Sequence, residues 1–153
     1  MAKKPTSADA QLVLQLYDLR REAEMRKARN WWTTTFWPQT ADEIMKISSA
    51  MGSQENNWFR QVAGYWDMAA ALVLHGTISA ELFLEGGVSG EMIFIFAKIQ
   101  PVLKDLRQKM NSPGLFSNVE KVIIGSKKGR ERLKMAAMRV EARRKAMAAG
   151  QSA

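Results

Sequence analysis

Cysteine is absent from the 153 residues, and histidine occurs once, at His75. The first absence removes thiolate nucleophiles, disulfides and cysteine-ligated zinc or iron–sulfur centres. The second removes every motif that needs two histidines on one chain, including the 2-His-1-carboxylate site. A carboxylate-only cation site stays open, but no catalytic residue, cofactor, metal or small-molecule substrate is identified. Long apolar runs are missing as well. The most apolar stretch, Met92–Leu103, is interrupted by Lys98, Gln100 and Pro101. It falls short of the roughly 20 apolar residues a membrane span needs. The opening MAKKPTSADAQLVL holds no apolar run of signal-peptide length, so the expectation is a cytoplasmic protein without a transmembrane segment.

What is present is a large basic excess, net +8, unevenly placed. Residues 1–30 carry seven basic and four acidic groups, and residues 31–100 carry three basic and seven acidic. Residues 101–153 carry thirteen basic and four acidic. An acidic middle is therefore flanked by basic ends. A hydrophobic share of 46% suits one globular domain of this length.

Helix signals recur along the chain. Thr6 with Asp9 and Thr40 with Glu43 read as capping boxes. The first opens a long helix over about 7–35, supported by a Glu22–Arg26 pair and ended before Pro38. The second opens a helix with Ile44, Ile47 and Met51 on one face, stopped at Gly52. Ser53 caps a third helix that runs to His75 and stops at Gly76. Its near-continuous apolar girth makes it the centre of the fold. Its remaining face holds Ala63, Gly64 and Asp67, where a neighbouring helix could approach closely. A buried Asp67 would need a partner such as Arg107. Thr77–Glu85 reads as a short helix closed by Gly86-Gly87. Ser89 starts the next, which Pro101 bends or splits. Ser112-Pro113 starts another, ending at Gly125, and Ser126 opens the last.

The expected fold is all-α, a compact single-domain bundle of about six or seven helices. Residues 1–125 form the helical core. Residues 126–153 form a basic helix and frayed tail, either part of that domain or extending from it.

Three constellations can carry function. Trp31, Trp32, Phe36 and Trp37 form an aromatic cluster that fits the core, a subunit interface or base stacking. Trp31 and Trp32 point about 100° apart on a helix, so one of them suits an interface. The basic stripe Lys128, Arg130, Arg132, Lys134, Arg139, Arg143, Arg144 and Lys145 fits solvent, nucleic-acid phosphates, an acidic protein or an anionic membrane surface. Arg20–Arg29 could extend a nucleic-acid surface. Finally, Asp67, His75 and Glu91 could build an acid–base pocket, though each has a plainer structural use. The segment Gly86-Gly87-Val88-Ser89-Gly90 matches no phosphate-loop pattern.

The segments YDLRREAEMRKARNWW, FWPQTADEIM and ENNWFRQVAGYWDMAAALVLHGTISAELF resemble a small family of uncharacterised bacterial all-helical proteins of unknown function, over roughly residues 10–110. The resemblance implies a bacterial cytoplasmic protein and transfers no functional residue. The sequence thus points to a non-enzymatic interaction or structural protein, self-associating as a homodimer. Nucleic-acid binding through the last helix is the alternative, and a small-ligand binder or enzyme is the third reading.

Overall fold

The computed structural model describes residues 3–150. Within them lie eight α-helices, one π-helical turn and no strand. They are α1 (Ser7–Leu19), α2 (Ala23–Asn30), the π-turn (Trp31–Thr35), α3 (Ala41–Ser49), α4 (Gln54–Leu74), α5 (Ala80–Phe83), α6 (Gly86–Lys109), α7 (Ser117–Ile124) and α8 (Lys127–Ala148).

Two hubs organise the molecule. Helix α4 packs against α2, the π-turn, α3, α5 and α7, and α6 packs against α3, α5, α7 and α8. The apolar run of α6 explains its role, because Ile95 through Ile99 are all buried. The helix continues through Pro101 without splitting. No described helix is long and apolar enough to cross a membrane.

The first expected helix is three pieces. It breaks after Leu19 because Arg20 turns inward and donates to the carbonyls of Gly87 and Val88, at 3.4 and 3.0 Å. Glu22 then caps α2 by accepting from the amides of Glu24 and Met25, rather than pairing with Arg26. Gly86 and Gly87 open α6 instead of closing a helix, and α7 starts at Ser117 rather than Ser112. Met51 is 74% exposed, not a core residue. Gly64 is exposed, and a β-carbon placed on it would meet nothing within 4 Å, so no helix packs closely there. Gly76 ends α4 as expected, at a φ of +75° that suits glycine.

Asp9 staples the start of α1 to the rest. It is 1% exposed and accepts from the Thr6 amide at 2.7 Å, the Thr6 hydroxyl at 2.6 Å and the Ser79 amide at 2.9 Å. These bonds, the Thr6 side chain's first, lower its pKa from 3.8 to about 2. The ionised carboxylate therefore favours the fold above about pH 4, and that contribution is lost as pH falls towards 2. Asp9→Asn is expected to melt earlier at pH 7 and to show a flatter loss of stability between pH 4 and 2. Thermal unfolding followed by circular dichroism across that range checks it.

Candidate functional site

The most unusual backbone is the π-turn, where the helix is wound more widely than α. The Phe36 amide reaches five residues back to the Trp31 carbonyl, at 2.9 Å. That bond passes over the Trp32 carbonyl, which instead accepts from the Lys98 ammonium of α6. The wide turn also seats both tryptophans. Trp31 stacks on Phe36 at 4.4 Å, while Trp32 stacks on Phe59 at 5.1 Å and meets Phe116 edge-on at 6.5 Å. Trp31, Trp32 and Phe36 are 8%, 0% and 6% exposed, so these three spend their area inside the chain. Only Trp37 keeps a surface edge.

Lys98 is the feature least visible in sequence. It is 1% exposed, and lysine is almost never buried unless paired. Its Nζ lies 4.0 Å from the Trp37 ring centroid and 5.6 Å from that of Phe94. No carboxylate pairs with it among the described residues. Burial first, and the nearby Arg144 guanidinium second, push the ammonium down to about 7. Arg144, on α8, donates to the carbonyls of Trp37 at 3.4 Å, Pro38 at 2.8 Å and Lys98 at 3.2 Å. A cavity of about 440 Å³ opens beside them, lined in part by Gln39, Lys98, Pro101, Glu141, Arg144 and Lys145.

The eight basic residues of the stripe on the last helix divide by use. Leu133, Ala136 and Val140 bury the inner face of α8, which packs on α6 and α7. Lys128 donates to the Glu81 carbonyl at 3.2 Å and pairs with Glu85. Its hydrogen bond holds the Glu85 carboxyl below the ordinary range. Arg130 donates to the Ile124 carbonyl at 2.7 Å, and Arg144 forms the clamp above. Arg132 lies over Gly86, where a β-carbon would meet its guanidinium at 3.1 Å. Lys145 makes a loose pair with Glu141 at 3.7 Å. Lys134 and Arg139 face solvent, and Arg143 is half-buried. Between Arg139 and Lys134 stand two outward methionines, Met135 and Met138, 55% and 66% exposed.

The other candidates are not gathered into one place. Arg29 pairs with Glu91 at 3.0 Å and Arg20 is buried, while Arg21, Arg26 and Lys27 of the same segment are exposed. Asp67 accepts from the Asn118 amide group at 2.9 Å. The partner expected for it, Arg107, pairs with Glu120 instead, at 2.8 Å. His75 is exposed at the end of α4. Asp67, His75 and Glu91 thus have separate surroundings. Among the described residues, no group of three or more His, Asp or Glu side chains is placed to hold a metal.

In the sequence, Lys98 reads only as a break in an apolar run. A lone lysine amid Ile93–Ile99 is the one available signal, since its charge has to be buried with the run. Arg144 groups with its basic neighbours because nothing local distinguishes it. Its partners lie more than a hundred positions away in the case of Trp37 and Pro38.

Fold and site together define an all-α domain whose basic last helix is clamped to α6 and to the segment that follows an aromatic turn. The chain belongs to the family described as domain of unknown function (DUF4760), whose model matches residues 5–126. That match stops just before α8. No curated protein and no solved structure matches the chain.

Proposed function

We propose that this protein acts by binding, as a non-enzymatic interaction protein that engages an acidic amphipathic protein partner along the outer face of α8. One observation carries the reading: Met135 and Met138 stand exposed among Lys134 and Arg139. A phosphate-tracking surface needs the cations alone. A protein partner uses both, because flexible thioethers adapt to apolar side chains while the arginines meet carboxylates. Nine basic and two acidic residues in α8 oppose the pairing of two α8 helices. Self-association would therefore bring the α8 of one copy to the acidic middle of another. Light scattering that finds only monomer at micromolar concentration removes that form of the proposal.

The charge of α8 also favours a second reading, nucleic-acid binding through the same cations. The two part on the methionines. A photo-crosslinking residue in place of Met138 is expected to yield a discrete protein adduct in cells, lost when Arg139→Glu is added. Met135→Ser should weaken the same contact by roughly tenfold. Adducts to nucleic acid alone, with no effect of Met135→Ser, would favour the second reading and end the first.

A further inference from the structure

Two cations, Lys98 and Arg144, share the Trp37 ring, at 4.0 and 5.8 Å from its centroid, and border one cavity. The other charged groups lining that cavity, Glu141 and Lys145, come from α8 and pair with each other. No carboxylate stands between Lys98 and Arg144 among the described residues. Arg144 is half-buried and has no carboxylate partner among the described residues. Arg144 carries five N–H donors, and three of its bonds go to backbone carbonyls. Two donors, one on Nη1 and one on Nε, therefore make no bond within the described residues.

Burial and a neighbouring cation are the two conditions that turn a lysine into a nucleophile at neutral pH. Both hold at Lys98, whose ammonium is pushed down to about 7. At 1% exposure, with Trp37 across it, the amine admits only a small neutral reactant without opening the fold. Carbon dioxide meets that limit, whereas larger aldehydes and acyl donors do not.

We propose that Lys98 is a carbon dioxide acceptor, its amine forming a carbamate that projects towards the cavity and is held there by Arg144. The nitrogen lone pair adds to the carbon of carbon dioxide. A C–N bond forms, one C=O π pair moves onto oxygen, and the nitrogen releases one proton to water. The product, R–NH–COO⁻, supplies the anion that Arg144 lacks. The remaining N–H can still donate to the Trp32 carbonyl, so the π-turn keeps its bond.

The full-length chain, equilibrated with ¹³C-bicarbonate and then alkylated with a trialkyloxonium reagent to fix carbamates, is digested and mapped by mass spectrometry. The expected result is a trapped carbamate on Lys98, with occupancy falling roughly tenfold or more in Arg144→Gln. No adduct at Lys98, adducts on surface lysines only, or unchanged occupancy in Arg144→Gln would overturn the proposal. Melting temperature gives an independent reading should Arg144→Gln fold poorly. At fixed pH, bicarbonate should raise it for the wild-type chain and leave Lys98→Met unmoved. An equal shift in both, or none in either, counts against the carbamate.

Discussion

Gly129→Ala is expected to unseat the start of α8 and to lower stability by about 3 kcal/mol, or about 6–12 °C in melting temperature. Gly129 lies in the first turn of α8, where Ser126 caps the helix by accepting from the Gly129 amide at 2.9 Å. Its α-carbon presses against the end of α7. A β-carbon there would sit 2.0 Å from the Ile123 carbonyl oxygen and 2.8 Å from its carbon. Both are backbone atoms of a buried residue, so no side chain can swing aside. The helix must shift, and the shift is levered along α8 to Leu133, Ala136 and Val140. Gly64→Ala is the matched control. It lies in the interior of α4 with open space around it, and should stabilise by about 1 kcal/mol. Equal effects at the two positions would show that helix propensity, not the α7–α8 contact, governs Gly129. Thermal or denaturant unfolding of the three proteins decides.

Lys98→Met is expected to make the protein more stable at pH 7 in buffer free of carbon dioxide. A lysine held at about 7 in the fold and 10.5 ordinarily leaves the unfolded chain binding the extra proton between those values. Stability of the wild-type protein should therefore rise as pH climbs from about 7 to about 10.5, and the cost of burying the charge is fully felt below 7. Removing the ammonium relieves on the order of 4 kcal/mol at and below pH 7. Leaving the Trp32 carbonyl without its donor returns about 1–2 kcal/mol of that. Methionine fills nearly the same volume, so little is lost in packing. The variant should also lose most of the upward slope with pH. A variant less stable than wild type, with the slope retained, would mean that the ammonium is well paired in the fold.

The helical architecture is legible in the sequence wherever a local rule suffices. Thr6 with Asp9, Thr40 and Ser53 cap helices where their spacing places them. The apolar girth of α4 marks a central helix. What escapes is set by contacts distant in sequence. Nothing near Arg20 reveals that carbonyls at positions 87 and 88 will draw it inward and break the first helix. A glycine pair reads equally well as a stop or a start, and α6 uses it as a start. Gly64 suggests close packing because small residues allow it, but the neighbouring helices lie elsewhere. The basic stripe on α8 is plain from composition. Its division into committed and solvent-facing cations depends on α5, α6, the end of α7 and the residues just after the π-turn.

The wide turn at Trp31–Thr35 has a consequence for how the chain could have arisen. A π-turn is an α-helix lengthened by one residue without unwinding its neighbours. Taking one residue out would let the amides fall back into α register and reclaim the Trp32 carbonyl. The amine of Lys98 would then have no acceptor and no reason to be there. Restoring the residue without the lysine would strand the carbonyl in an aromatic core instead. The widened turn and the lysine some sixty positions later are thus one device in two parts: the turn frees the carbonyl, and the lysine is the donor that reaches it.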